Sequence, residues 1–157
     1  MKFQFINIGK PHEEALKKAI DDFTKRINNY YNTEWLIIPA IKNAAALPET
    51  ELKKQEGRSI ISKINKDDFL MLLDETGKQL SSVELANFLE QRSNTGARSI
   101  IFLIGGAFGV SDEIKQRANF TWSLSKLVFP HMIVRLILAE QVYRACTILR
   151  NEKYHHS

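Results

Sequence analysis

The first half of the chain alternates between two spacings of apolar residues. Residues 2–8 alternate polar and apolar side chains, which predicts a strand that ends at the Gly9–Pro11 turn. Apolar residues recur at helical spacing over residues 16–27 and again over residues 52–64. Residues 35–38 form a short β-prone run between the two helices. This half therefore predicts the order strand, helix, strand, helix.

Two continuous apolar runs dominate the second half. FLMLL at 69–73 and SIIFLI at 99–104 are typical of strands that are buried on both faces. The first run ends at residues 74–77 (DETG), where the sequence predicts a turn. Between the runs, Ser81 and Glu84 form a capping box, which predicts a helix that runs towards Gly96.

The last third continues the same alternation. Ser111 predicts the start of a short helix, and residues 120–124 predict one more strand. Pro130 suits the first turn of a final helix that runs to about Arg150. Strands that alternate with helices, with the apolar strands buried, predict an α/β fold with a mostly parallel sheet. The length predicts one domain over 1–157.

Composition narrows the function classes. With 44% hydrophobic and 25% charged residues, the chain is neither disordered nor a disulfide scaffold. Its one cysteine, Cys146, excludes an internal disulfide and a zinc site built on paired cysteines, and no metal is expected. The sequence shows no signal or membrane-spanning segment, so we expect a cytoplasmic protein. The net charge of +4 permits a nucleic-acid partner without requiring one.

Ligands of parallel α/β sheets bind beyond the carboxyl ends of the strands. This rule selects the loops after Leu73, Ile104 and Leu124. The second loop carries Gly105–Gly106 and Gly109, which allow a ligand to approach the backbone, so a side chain at Gly105 would fill ligand space. The glycine spacing matches neither the dinucleotide fingerprint nor the P-loop, and a tight turn without a ligand is the alternative.

The loop at 123–131 alternates small polar and apolar residues before a helix N-terminus. Its backbone amides could bind an adenine while its apolar side chains pack on the ring, although an ordinary strand-to-helix loop has the same pattern. The final helix is apolar almost all round, with few residues after it to cover it. We therefore expect a homodimer through residues 130–150, with Val142 in the interface.

Polar residues on the final helix and in the tail are candidates for chemistry. Glu140 and Arg144 stand four residues apart, as an ion pair on a helix surface does, but with Arg135 they could also border a ligand pocket. Tyr154 can stack on a base and His155 can titrate near neutral pH, whereas a frayed terminus is the alternative.

Four strings together resemble a known family: LLDETGK (72–78), SIIFLIGGAFG (99–109), WSLSKLVFPHMIVRLILAEQVYRA (122–145) and YHHS (154–157). They are similar to the ribosomal RNA large-subunit methyltransferase H family, small enzymes of the SPOUT class, and the likeness spans the whole chain. One difference is at Ala107–Gly109, where many relatives have Pro-Glu-Gly.

The resemblance implies an α/β fold with a C-terminal trefoil knot, S-adenosylmethionine as cofactor, and a homodimer. The reaction that it implies is rRNA processing in the cytoplasm: methylation of N3 of a pseudouridine in 23S rRNA, which an assembled ribosomal particle would present. Carried over by position, the cofactor contacts fall at Leu73, Gly105, Gly106, Leu124, Ser125, Lys126, Leu127, Val128 and Phe129.

A protonated N3 is a poor nucleophile, so the site needs a base or a group that stabilises the N3 anion. Candidates for this task are His155, Glu140 and His131, while Arg135, Arg144 and Tyr154 would position base or phosphate. Two other functions stay open: a SPOUT methyltransferase with another RNA target, and a non-catalytic RNA-binding or ribosome-assembly protein of this fold. Affinity for the cofactor distinguishes the last of these.

Overall fold

Strands and helices alternate over residues 1–156, which are the residues that this computed structural model describes. The strands are β1 (Lys2–Ile8), β2 (Asn32–Ile38), β3 (Phe69–Gln79), β4 (Ser99–Ile104) and β5 (Phe120–Ser123). The helices are α1 (Glu14–Ile27), α2 (Glu49–Ile61), α3 (Ser82–Asn94), α4 (Asp112–Arg117) and α5 (His131–Leu149), with a short 3-10 helix at Ala44–Ala46. The predicted order of elements is confirmed.

The five strands form one sheet in the order β2-β1-β4-β3-β5, and each neighbouring pair is parallel. All strands therefore end at the same edge of the sheet. The central strand β4 is buried along its full length, as its continuous apolar run predicts. The predicted α/β fold is confirmed, and the trefoil knot stays a prediction that the resemblance carries.

The sheet separates two apolar clusters, because successive side chains of a strand point to opposite faces. Phe3 and Phe5 of β1 pack on the face that α1, α3 and α5 cover. Ile6 and Ile8 of the same strand pack on the other face, with residues of α2 and α4. The aromatic residues lie mainly in the first cluster, where Phe102 contacts the rings of Phe3 and Phe5 edge-on.

The turn predicted at residues 74–77 is wrong. β3 continues to Gln79, and it pairs with β5 on both sides of an irregularity, so that Leu73 and Lys78 both align with Trp122. Gly77 makes this possible, because a Cβ there would lie 2.6 Å from the backbone of Thr121. The glycine that suggests a turn in the sequence serves instead to let two strands approach closely.

Helix α5 is covered by its own chain more than the sequence predicts. It packs against α1 and α3, and Val142 is 0% exposed within the single chain. The prediction that Val142 lies in a subunit interface is therefore wrong. Cys146 is a core residue as predicted, and burial raises the pKa of its thiol to about 12. Within residues 1–156, none of the helices is both long and apolar enough to span a membrane.

Candidate functional site

A cavity of about 540 Å³ opens at the carboxyl edge of the sheet. Its walls come from the irregular part of β3, the glycine loop after β4, the loop after β5 and the first turn of α5. We call it the strand-end cavity. The loops after β4 and β5 are two that the strand-end rule selects from the sequence, whereas the wall expected from a loop after Leu73 is part of β3. Of the predicted cofactor residues, those that line it are Leu73, Gly105, Gly106, Leu124, Ser125, Leu127, Val128 and Phe129, whereas Lys126 is exposed outside the lining.

The glycine loop is a tight turn held by its own backbone. The N–H of Gly109 donates to the carbonyl oxygen of Gly106 (3.1 Å), and Gly109 has a positive φ of 86°. A Cβ at Gly105 would lie 2.6 Å from Cγ1 of Val110. The sequence analysis expected a side chain at Gly105 to fill ligand space. The structure shows that it would instead collide with Val110, which itself lines the cavity.

Behind this loop stands Glu56 of α2, a residue that the sequence analysis missed. Its carboxylate lies 2.7 Å from the position that a Cβ of Gly106 would take. Partial burial raises the pKa of Glu56. Glu56 belongs to no local sequence motif, because it is one of several charged residues in α2. Only the fold brings it against the glycine loop.

The loop after β5 is stabilised by serine side chains. Ser123 Oγ donates to the carbonyl oxygen of Ser125 (3.0 Å), and Ser125 Oγ accepts from the N–H of Leu127 (3.0 Å). At the start of this loop Trp122 lines the cavity and is 3% exposed. Its indole N–H is buried and has no hydrogen-bond partner among residues 1–156, so it is a donor that a bound ligand could satisfy.

The tail folds back along α5. Asn151 adopts a left-handed φ of 54°, and the N–H of Glu152 donates to the carbonyl oxygen of Thr147 (3.0 Å). The N–H of Asn151 donates to Ile148 (3.1 Å), which completes a Schellman motif with asparagine at the position that usually holds glycine. Tyr30 fastens the turn, since its hydroxyl donates to the Glu152 carboxylate (2.6 Å). The frayed alternative therefore does not describe residues 151–156, and Ser157 lies outside the described residues.

This return brings four polar side chains together, which we call the tail cluster: Glu140, Arg144, Tyr154 and His155. Glu140 Oε1 accepts from Arg144 Nε (2.9 Å) and Nη2 (2.5 Å) and from the Tyr154 hydroxyl (3.1 Å). The Arg144 guanidinium also lies over the Tyr154 ring, 4.7 Å from its centroid. Burial, followed by the Glu140 charge, raises the pKa of Tyr154. The structure thus shows the ion pair expected from the sequence and adds Tyr154 and His155 to it.

His155 is oriented by the same arginine. Its Nδ1 lies 3.4 Å from Nη1 of Arg144. A guanidinium can only donate, so Nδ1 is the acceptor and the neutral imidazole carries its proton on Nε2. In this arrangement Nε2, the other ring nitrogen of His155, is a donor.

Arg135 stands apart from the tail cluster. It is 2% exposed, and it donates to the carbonyl oxygen of Lys10 (2.9 Å), to Nδ1 of His12 (3.1 Å) and to the carboxamide oxygen of Asn7. It thereby ties α5 to the end of β1. The fold does not bring it together with the other three predicted catalytic residues, and none of the four lines the cavity of its own chain.

Comparisons with known proteins agree with this geometry. Residues 1–155 match a family model described as "Predicted SPOUT methyltransferase". The chain is 45% identical to ribosomal RNA large subunit methyltransferase H of Flavobacterium johnsoniae and 43% identical to that of Christiangramia forsetii, over 99% of both chains in each case. Its fold is similar to the crystal structure of a probable methyltransferase from Bordetella pertussis, with a TM-score of 0.58 over 92% of this chain and 94% of that chain, at 12% identity.

The contact between Gly105 and Val110 generates a prediction. We expect Gly105→Ala to lower the free energy of unfolding by about 1–3 kcal/mol, because the new methyl group overlaps Val110. Adding Val110→Ala should recover part of this loss, and Val110→Ala alone is the control. Urea unfolding of the three variants measures the coupling, and additive losses would show that Val110 is not the cause.

Proposed function

Because the chain belongs to the SPOUT methyltransferases, in the ribosomal RNA large subunit methyltransferase H family, we propose that it methylates N3 of a pseudouridine in 23S rRNA with S-adenosylmethionine as methyl donor. The observation that carries the proposal is the strand-end cavity, which is lined by β3 from Leu73 on and by the loops after β4 and β5, all within the matched residues. We expect the enzyme to act in the cytoplasm on an assembled ribosomal particle. A charge of +4 gives weak general affinity for RNA, so a shaped target has to supply the specificity.

The residues around the cavity fit S-adenosylmethionine. The volume of about 540 Å³ suits a ligand of nucleoside size. The lining offers backbone groups at Gly105–Gly106 and Leu124–Phe129, and the unpaired indole N–H of Trp122 offers a donor. These residues and Leu73 would hold the cofactor, which when bound supplies an electrophilic methyl group.

The tail cluster can stabilise the methyl acceptor, N3 of the pseudouridine, in its anionic form. N3 becomes nucleophilic when it passes its proton to solvent water, and the resulting negative charge spreads onto the neighbouring carbonyl oxygens. His155, with its proton on Nε2, can donate to such an oxygen, and the Arg144 charge behind it strengthens that donor. This assigns His155 to anion stabilisation, where the sequence suggested proton acceptance. Glu140 positions Arg144 and Tyr154, and Tyr154 contacts the target nucleotide.

In a homodimer, the tail cluster of one subunit would lie beside the strand-end cavity of the other. The cavity lies at the N-terminal end of α5, and Glu140 follows His131 by nine residues, about 13 Å along the helix. Two α5 helices that pack antiparallel about a two-fold axis would place each tail cluster beside the partner's cavity. The surface available for this packing is apolar and partly exposed, and belongs to neither core cluster: Met132, Ile133, Leu136 and Ile137.

The proposed reaction predicts a specific loss in cells without the gene. Their 23S rRNA should lack one methyl group on a pseudouridine, as detected by mass spectrometry of nuclease fragments, and the purified protein should restore it on isolated large subunits with S-adenosylmethionine. Calorimetry should show that the protein alone binds S-adenosylmethionine. Fragments of identical mass from mutant and wild-type cells would refute the function.

Substitutions in the tail separate the roles of its residues. Deletion of residues 154–157 should lower the methylation rate by at least about 100-fold, as the loss of a donor to a developing anion does, while the affinity for S-adenosylmethionine changes little. His155→Gln keeps a hydrogen-bond donor, so it should retain more activity than His155→Ala. Lys153→Ala, at an exposed position, is the matched control. Equal losses in the Gln and Ala variants would contradict the donor role, and a wild-type rate after deletion would exclude the tail from catalysis.

The dimer surface is tested at Ile137. Ile137→Lys should give a monomer in light scattering at micromolar concentration, since burying an unpaired charge costs several kcal/mol of association. The monomer should keep its thermal stability and lose methylation, because the cavity and the tail cluster then belong to separate molecules. Val83→Lys, at an exposed apolar position on α3, is the control. A monomeric wild-type protein with full activity would overturn the shared site.

A further inference from the structure

Exposed large apolar side chains are concentrated on the rim of the strand-end cavity. Residues 1–156 contain four of them: Val83, Phe108, Leu127 and Val128. The last three line the cavity, although they come from two different loops, and Phe108 is 55% exposed. An apolar rim at the mouth through which the methyl acceptor must enter indicates contact with that acceptor.

The backbone position of Phe108 is set by a hydrogen-bonded turn. It lies on the tight turn between Gly106 and Gly109, which are joined by a backbone hydrogen bond and an antiparallel bridge. The Glu56 carboxylate lies against Gly106, 2.7 Å from the position that a Cβ there would take. The backbone that carries the ring is thus ordered before a partner stacks on it, which lowers the entropic cost of binding.

Two cations share this rim. Lys53 of α2 and Lys115 of α4 line the cavity beside the glycine loop, and in the described part of the chain neither has a carboxylate within 4 Å. The acidic residues of the cavity, Asp74 and Glu75, belong to the β3 wall. A flat apolar ring beside free ammonium groups complements a nucleotide, which has a flat base and a phosphate.

We propose that Phe108 is a stacking surface for an unpaired base of the RNA substrate, and that Lys53 and Lys115 contact the adjoining phosphates. The inference rests on the proposed function and adds to it the surface that receives the RNA. Stacking on an aromatic ring tolerates any base, so Phe108 contributes affinity and placement, whereas the selection of the target comes from the shape of the particle.

The test compares Phe108→Ala with Phe108→Trp, using large subunits from cells that lack the gene as substrate. Loss of one stacked base should raise the KM for these particles by between about 5-fold and 150-fold, and Trp should restore it. The affinity for S-adenosylmethionine, measured by calorimetry, should stay within about twofold of the wild type. Val83→Ala removes an exposed apolar side chain elsewhere and should change nothing.

The lysines are tested through salt. Lys53→Ala and Lys115→Ala should each lower the slope of log affinity against log salt concentration by roughly 0.7–0.9, whereas Lys18→Ala on α1 should not. An unchanged KM in Phe108→Ala would overturn the proposal. So would dissociation of the dimer in that variant, which would make Phe108 an interface residue, or a loss confined to cofactor affinity. A wild-type protein that fails to methylate the particles would instead refute the proposed function, and this inference with it.

Discussion

The close parallel pairing of β3 with β5 is the constraint on which the cavity depends. Both strands run in the same direction and approach until the Gly77 backbone touches Thr121, so the irregular part of β3 and the loop after β5 lie at one edge beside the glycine loop of β4. A side chain at Gly77 would separate the strands, and with them two of the three cavity walls. The register shift between Leu73 and Lys78 has the same origin, because β3 has to accommodate extra residues against a shorter partner.

Helix α5 connects the strand-end cavity to the tail cluster. One side packs on α1 and α3, its first turn borders the cavity, and its C-terminal half carries Glu140 and Arg144. The Schellman turn at Asn151 then sends the chain back, so that Tyr154 and His155 meet residues more than ten positions earlier. A single helix end therefore decides whether the last residues are solvent-exposed chain or part of a hydrogen-bonded cluster.

Most of the fold could be predicted from the sequence because its signals are local. Ser81 and Glu84 form the capping box that the sequence predicts, and the Ser111 side chain caps α4 by accepting from the N–H of Ile114. The errors arise where the decisive contact is distant. A helix that is apolar all round does not indicate whether its own chain or a partner covers Val142. Gly77 and Gly105 look like turn residues, yet each is required by a neighbour in space, Thr121 and Val110. Glu56 and the acceptors around Arg135 have no local signal.

The position of Cys146 has a consequence for the behaviour of the protein under oxidative stress. Oxidation of a cysteine begins with its thiolate, in contact with solvent. This thiol is 1% exposed, and a pKa of about 12 keeps it protonated at any physiological pH. With no second cysteine in the chain, an internal disulfide cannot form, and the burial of the thiol disfavours a sulfenic acid in the folded protein. Peroxide would thus have to unfold or modify other residues before it affected this enzyme.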